Sequence, residues 1–143
     1  MAIKKFKIEY IITLEEFKIQ YALGTLDINA LIKLAEDPNT CEEILVILSK
    51  DKIAGVRYRV ADNHNTPIKV LEELSKDKNW DIRSGVARND NTPIKILEKL
   101  SKDVSWQVRG NVAHNKNTPK EILKVLSKDE DYWVRGEATY SSL

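Results

Sequence analysis

Residues 66–91 read TPIKVLEELSKDKNWDIRSGVARNDN, and residues 92–117 read TPIKILEKLSKDVSWQVRGNVAHNKN. The two stretches align without an insertion, and the pattern extends to residues 40–65 and 118–143. Its threonines are Thr40, Thr66, Thr92 and Thr118, and its alanines are Ala35, Ala61, Ala87 and Ala113. Each set recurs every 26 residues. A fixed period of this size is the signature of a protein built from stacked repeats.

Each repeat is predicted to form two helices, and the repeated threonine is a favourable N-cap for the first. The proline that follows it in three repeats suits the first helical position. In two repeats a glutamate, Glu43 or Glu121, stands where it completes a capping box with the threonine. Apolar residues then recur at i, i+1 and i+4, which places them on one buried stripe. These triplets are Ile44, Leu45 and Leu48; Val70, Leu71 and Leu74; Ile96, Leu97 and Leu100; and Ile122, Leu123 and Leu126.

The second helix is predicted to be the shorter one, at about eight residues, from the spacing of its apolar stripe. Glycines at 85, 110 and 136 lower its helix propensity by about 1 kcal/mol each relative to alanine. Some second helices are therefore candidates for 3₁₀ geometry. Their ends are predicted at asparagines, which tolerate the left-handed conformation of a helix exit. These are Asn63, Asn89 and Asn115.

A single hairpin of this kind buries too little apolar surface to offset the entropy lost when its backbone becomes ordered. The sequence therefore predicts an all-α solenoid, a single structural domain in which stacked repeats share one core. Residues 1–39 are predicted to form an N-terminal cap and a half repeat. The four repeats that follow are predicted at 40–65, 66–91, 92–117 and 118–143.

The pattern VR..VA.N.NTP..IL..LSKD resembles the leucine-rich repeat variant family over about residues 30–143. The resemblance implies a right-handed, two-layer helical solenoid, related in appearance to HEAT repeats and without strands in its repeats. It does not imply one activity. Some members of the family are associated with a cysteine-rich iron–sulfur segment. This chain has only Cys41, so that feature is not carried over.

The first 39 residues depart from the repeat and are expected to cover its open end. The predicted elements are a short strand over residues 6–12, a helix over about 14–23 with a capping box of Thr13 and Glu16, and a helix over about 28–36 capped by Asp27. Val46 and Ile47 stand where the next two repeats have charged residues, so the cap is expected to pack on them. A protein-binding surface or a dimer contact is the alternative for this segment.

The composition excludes several classes of protein. Lys and Arg number 23 and Asp and Glu number 22, so the formal net charge of +1 gives no global attraction to nucleic acid or an anionic membrane. One cysteine excludes an internal disulfide framework and an all-cysteine metal site. No apolar run is long enough for a membrane span or a signal peptide. We therefore predict a cytoplasmic protein without a membrane partner.

No catalytic constellation, phosphate-binding glycine loop or nucleophile elbow is recognisable. His64 and His114 occupy different positions of the repeat and lack the spacing of metal ligands. Cys41 stands where the other repeats have proline, so it is interpreted as a simple substitution. The sequence thus predicts a non-enzymatic protein without a metal or another cofactor.

An arginine follows an aspartate by six residues in every repeat. The four pairs are Asp51 and Arg57, Asp77 and Arg83, Asp103 and Arg109, and Asp129 and Arg135. The spacing is similar to an Asp-to-Arg arrangement in HEAT repeats, where such pairs form a ladder along the stack. A guanidinium fork suits a carboxylate in a partly buried loop, so we predict a structural ladder. An anion-binding stripe is the alternative.

Trp80, Trp106 and Tyr132 share one repeat position, in the turn between the two helices. They are predicted to form a ridge, which either packs over the turn or serves as a stripe for a partner. Trp133 lies outside this column and is expected to be an exposed extra residue.

The leading functional hypothesis is a protein–protein interaction module of unknown specific role. Its contacts are expected where solvent-facing positions differ between repeats. The candidates are Tyr58, Arg59, Trp80, Arg88, Lys95, Lys99, Trp106, His114 and Tyr132. The alternative is a nucleic-acid-binding protein that uses the basic patch of residues 92–117, whose formal charge is +3. The sequence leaves open the oligomeric state and which helices line the concave face.

Overall fold

The computed structural model describes residues 12–142, and within that range the chain forms ten α-helices and no strand. The helices are α1 (Leu14–Leu23), α2 (Ile28–Glu36), α3 (Glu42–Leu48), α4 (Ala54–Asp62), α5 (Ile68–Leu74), α6 (Trp80–Arg88), α7 (Ile94–Leu100), α8 (Trp106–His114), α9 (Lys120–Leu126) and α10 (Tyr132–Ser141). The predicted all-α class is confirmed. The strand predicted over 6–12 lies, apart from Ile12, outside the described residues.

The relative lengths of the two helices in each repeat differ from the prediction. The first helices, α3, α5, α7 and α9, have seven residues, whereas the second helices have nine, or ten in α10. All the second helices are α-helical, so the suggested 3₁₀ geometry is wrong. Packing offsets the glycine in α6, because a Cβ at Gly85 would lie only 3.1 Å from the Ala61 Cβ of the preceding second helix. The glycine permits this close approach, and the packing outweighs its weak helix propensity.

The second helices form the more closely spaced row of the stack. They pack directly on one another from α4 to α10, and α2 of the half repeat begins the row. The first helices make their main contacts with second helices of their own and the preceding repeat. The row of second helices therefore holds the closest packing between neighbouring repeats.

The predicted core is confirmed. Leu45, Leu71 and Leu97 are fully buried, and the other members of the four apolar triplets are buried as well, except for the half-buried Ile122. The second helices contribute an equivalent set of buried residues. These include Val56, Ile82, Val108 and Val134. The shared interior is therefore one continuous cluster along the described part of the chain.

The repeated threonines act at the end of one helix rather than at the start of the next. The Thr66 hydroxyl donates to the Val60 carbonyl oxygen at 2.5 Å, which ties the exit of α4. The equivalent bonds join Thr40 to Leu34, Thr92 to Val86 and Thr118 to Val112. The predicted N-caps and the capping boxes with Glu43 and Glu121 are therefore wrong. Helices α3, α5, α7 and α9 begin without a side-chain cap.

The asparagines at the ends of the second helices also differ from the prediction. Asn89 has an extended backbone, with φ of −67°, and Asn63 and Asn115 are similar, so none is left-handed. The Asn89 Nδ2 atom donates to the carbonyl oxygens of Ala61 at 2.8 Å and Asn63 at 2.9 Å. Asn63 and Asn115 make the corresponding bonds one repeat earlier and later. These buried amides therefore join each repeat to the one before it.

The two helices of the N-terminal cap have the predicted bounds. Thr13 and Glu16 form the predicted capping box of α1, and the Asp27 side chain accepts from the Ala30 N–H at 2.8 Å to cap α2. The hydrogen bonds from Thr13 also lower the pKa of Glu16. The two caps could be predicted from the sequence because each side chain accepts from an amide group only three residues away.

The cap covers part of the expected surface. Phe17 of α1 is completely buried in the shared core, and Ile47 is half-buried against that core. Val46 keeps 38% of its surface exposed. Within the described residues, Ile47 is therefore partly covered, as expected, whereas Val46 remains exposed to solvent.

Candidate functional site

The arginines and aspartates of the predicted ladder meet between neighbouring repeats. Arg83 Nε donates to Asp103 Oδ2 at 2.7 Å, and its Nη2 donates to Oδ1 at 2.8 Å. Asp77, six residues before Arg83, contributes its backbone carbonyl to Nη1 at 2.8 Å. The predicted pairing within one repeat is therefore wrong. The guanidinium binds a backbone carbonyl in the loop of its own repeat and the aspartate carboxylate in the loop of the next repeat. The other rungs of this kind are Arg57 with Asp77 and Arg109 with Asp129.

The ladder carboxylates are held in their ionised form. Burial raises the pKa of Asp103, but hydrogen bonds from Arg83 and the Ser105 N–H outweigh it, so the net pKa is lowered. At Asp129 the hydrogen bond from Arg109 is the largest influence and lowers the pKa. Because these guanidinium groups already hold internal carboxylates, the inner rungs give an anion-binding stripe little support.

The two ends of the ladder have different partners. At the N-terminal end the Tyr21 hydroxyl donates to Asp51 Oδ2 at 2.6 Å, and burial together with Asp51 raises the pKa of Tyr21 to about 12. At the other end Arg135 Nη1 donates to the carbonyl oxygens of Asp129 at 2.7 Å and Glu130 at 2.9 Å. Within residues 12–142, Arg135 contacts no carboxylate.

Four of the predicted partner-binding residues on the second helices already contact a neighbouring repeat. Arg88 Nη2 donates to Asp62 Oδ1 at 2.7 Å and to the Tyr58 hydroxyl at 2.8 Å. Two further contacts of this kind are Arg59 with Glu36 at 3.8 Å and His114 with Glu137 at 2.9 Å. These polar groups therefore serve the stack itself, although Arg59, Arg88 and His114 remain exposed.

The aromatic residues of the predicted column line one groove. Trp80, Trp106 and Tyr132 are the first residues of α6, α8 and α10, and they keep 40%, 43% and 78% of their surface exposed. The groove has a volume of about 380 Å³. Its other lining residues are Ser84, Gln107, Asn111, Asp131 and Trp133. We call this set the aromatic groove.

Trp133 belongs to the groove, and the expectation that it is an exposed extra residue is wrong. Its ring is half-buried and stands edge-on to Trp106, with 5.5 Å between the ring centroids and 74° between the planes. It covers Gly110 so closely that a Cβ there would lie 1.7 Å from the indole. Gly110 and Trp133 are 23 residues apart, and so are His114 and Glu137, which also contact each other across repeats. This shared spacing is the sequence signal by which the position of Trp133 could have been predicted.

The polar residues of the groove are also hydrogen-bonded, one of them between repeats and two of them locally. Asn111 Nδ2 donates to Ser84 Oγ at 2.6 Å, linking α8 to α6. The Gln107 side chain accepts from Ser105 Oγ at 2.7 Å. Asp131 Oδ1 accepts from the Trp133 and Val134 N–H groups and caps α10. The groove walls are thus held by hydrogen bonds as well as by ring packing.

The basic patch of residues 92–117 is weaker in three dimensions than in the sequence. Arg109 is bound to Asp129 within the ladder, and Lys116 Nζ donates to Asp90 at 2.6 Å. Lys95 and Lys99 are exposed on α7, in the row of first helices and outside the aromatic groove. Together with Lys102 they are the patch members without a carboxylate contact among the described residues.

No cluster of metal-ligating side chains stands out in the part of the chain that the structure describes. No three or more His, Cys, Asp or Glu residues converge there. His64 is exposed, and Cys41 is exposed at the start of α3. Among residues 12–142, every buried side-chain nitrogen or oxygen has a hydrogen-bond partner. No helix in this range has the length and apolar character needed to cross a bilayer.

Comparison with known proteins finds no matching family model, no matching curated protein and no matching solved structure. The resemblance to the leucine-rich repeat variant family, and the right-handed two-layer geometry that it implies, therefore stay predictions from the repeated motif.

Proposed function

We propose that this protein is a non-enzymatic helical repeat protein that binds a protein partner through the aromatic groove. The observation that carries the proposal is the exposure of Trp80, Trp106 and Tyr132 along one groove. Large aromatic side chains are enriched among the residues that dominate the energy of protein interfaces. A contiguous exposed patch of them marks an interaction surface more often than scattered apolar residues do.

The groove also differs from the polar surface of the second helices in having side chains available for a partner. Arg59, Arg88 and His114 each contact a carboxylate of a neighbouring repeat. The exposed aromatic rings, by contrast, turn apolar surface to solvent. Covering that surface releases water and stabilises a complex, which gives the aromatic groove the larger expected share of the binding energy.

Nucleic-acid binding is the less favoured function. The three lysines of the patch without a carboxylate contact lie on or just after α7, and a phosphate backbone needs a run of cations along one face. Aromatic rings do stack on single-stranded bases, but such sites combine stacking with a positive groove. Among residues 12–142, the only charged residue that lines the aromatic groove is the acidic Asp131. We also propose a cytoplasmic location for the protein, because the sequence has no apolar run long enough for a membrane span or a signal peptide.

Site-specific photocrosslinking tests the proposal. A photoreactive benzoylphenylalanine is placed either at Tyr132, in the groove, or at Ile68 on α5, which is 59% exposed in the other row of helices. After irradiation in a lysate of the native host, mass spectrometry identifies the crosslinked segments. We expect one protein segment to be captured reproducibly at position 132 and not at position 68. Capture of nucleic acid alone, or no protein capture specific to position 132, would contradict the proposal.

A further inference from the structure

Building on the proposed function, we infer that the partner presents a cationic side chain, of arginine or lysine, to the aromatic groove. The juxtaposition that carries this inference is three indole rings, a phenol ring and one carboxylate lining the same groove. Trp80, Trp106, Trp133 and Tyr132 supply the rings, and Asp131 supplies the carboxylate. The faces of such rings carry partial negative charge and attract a cation.

The charge of the groove favours this occupant over an acidic or neutral one. Within the described part of the chain, Asp131 is the only charged residue that lines it, and no lysine or arginine does. The Oδ1 atom of Asp131 caps α10, whereas its Oδ2 atom accepts no hydrogen bond within the described residues. A guanidinium or ammonium group donating to Oδ2 would meet a full negative charge in the same groove as the aromatic rings.

The groove is also held in shape before a partner arrives. Trp133 packs closely over Gly110 and makes a T-shaped contact with Trp106, and Asn111 donates a hydrogen bond to Ser84 on the neighbouring helix. Fixed walls reduce the ordering that binding would otherwise require. The volume of about 380 Å³ lies near the lower end of ligand pockets, which suits one long side chain rather than a folded domain.

The intrinsic fluorescence of the protein reports on this site, since all three tryptophans of the chain line the groove. The probes are acetyl-Gly-Gly-Xaa-Gly-Gly-amide peptides in which Xaa is arginine, citrulline or glutamate. Citrulline has nearly the shape of arginine without its charge. We expect the arginine peptide to change the fluorescence saturably and to bind about tenfold more tightly than the citrulline peptide at low salt.

Matched variants locate the effect. Tyr132 and Tyr140 both lie on α10 and are 78% and 76% exposed, but only Tyr132 lines the groove. Tyr132→Ser is expected to reduce the advantage of arginine over citrulline several-fold, and Tyr140→Ser is expected to preserve it. Asp131→Asn is expected to reduce it too, while asparagine still caps α10.

The outcomes separate this inference from the proposed function. Equal binding of the arginine and citrulline peptides, tighter binding of the glutamate peptide, or no response to any of them would overturn the cationic inference. If protein capture at position 132 persists in those cases, the interaction function stands without it. If the arginine peptide binds as expected but position 132 captures no protein, the groove is a cation site and the proposed function is wrong.

Discussion

Two contacts between neighbouring repeats have the same closest distance and very different surroundings. Arg83 meets Asp103 and Arg88 meets Asp62, each at a closest distance of 2.7 Å. The side chains of the first pair are 13% and 8% exposed, whereas those of the second are 47% and 32% exposed. An exposed pair exchanges contacts with water at little net gain, but a buried charge left alone is costly. Burial, rather than distance, therefore ranks these contacts by their importance to the stack.

Acidification should have the largest effect, because it acts on the three buried rungs at once. The folded pKa values of Asp77, Asp103 and Asp129 are lowered, whereas the unfolded chain titrates near pH 4. The stabilisation is therefore fully present above about pH 4 and is lost as the pH falls through the folded pKa values. Urea unfolding followed by circular dichroism should show a stable plateau from about pH 7 to 5 and a steep loss below about pH 4.

The Asp103→Asn variant provides the control for this pH profile. It lacks one titrating rung, so its loss of stability below about pH 4 should be smaller than that of the wild type, from a lower starting value. The same slope in both proteins would show that the ladder does not govern the acid response.

The next largest effect is expected from Arg83→Ala, which strands the Asp103 carboxylate. Removing one partner of a buried ion pair costs about 3–5 kcal/mol. Arg135→Ala removes the same side chain at the end of the ladder, where it contacts two carbonyl oxygens but no carboxylate of residues 12–142. We expect Arg135→Ala to cost less than about 1 kcal/mol. Equal changes in the free energy of unfolding would refute the importance of the carboxylate.

An uncharged contact between repeats comes third. In Asn89→Ala the carbonyl oxygens of Ala61 and Asn63 lose a buried donor, which should cost about 2–3 kcal/mol in the free energy of unfolding. Asn91 is exposed and donates to the His64 carbonyl oxygen, so Asn91→Ala is the matched control. Chemical denaturation of both variants should rank Asn89→Ala well above Asn91→Ala. The opposite order would mean that the buried amide does not join the repeats.

The helices and the core could be predicted because their signals are local. The apolar residues of each helix define its buried face, and Thr13 and Asp27 cap helices within three residues of themselves. The residues whose roles were predicted wrongly are those that make contacts across repeats. Thr66 closes the preceding helix and Asn89 reaches back one repeat, while Arg83 reaches forward 20 residues. No local pattern specifies which neighbouring loop a side chain will meet.

The candidate site shows the same division. The column of Trp80, Trp106 and Tyr132 was visible in the repeat, and the structure places these residues in one groove. Trp133 was missed because its position depends on the absence of a side chain at Gly110 in the preceding repeat. Lys95 and Lys99, predicted as further contacts, lie on α7 and do not line this groove.

The smallest effect is expected from Arg88→Ala, although the Arg88 side chain contacts two residues of the preceding repeat. Its guanidinium donates to Asp62 and Tyr58 and also lies 5.9 Å from the Tyr58 ring centroid. The hydrogen bond to Asp62 is the main reason that the pKa of Arg88 is raised. Water replaces these contacts when the side chain is removed, so the expected cost is at most about 1 kcal/mol.

Salt separates this surface pair from the buried rung. Raising the ionic strength from about 0.05 to 1 M should shrink the difference in unfolding free energy between wild type and Arg88→Ala, because exposed charges are screened. The corresponding difference for Arg83→Ala should change much less, since its carboxylate partner is buried. If Arg88→Ala were as destabilising as Arg83→Ala and equally insensitive to salt, exposure would not distinguish the two contacts. The ranking of the inter-repeat contacts by burial would then have to be abandoned.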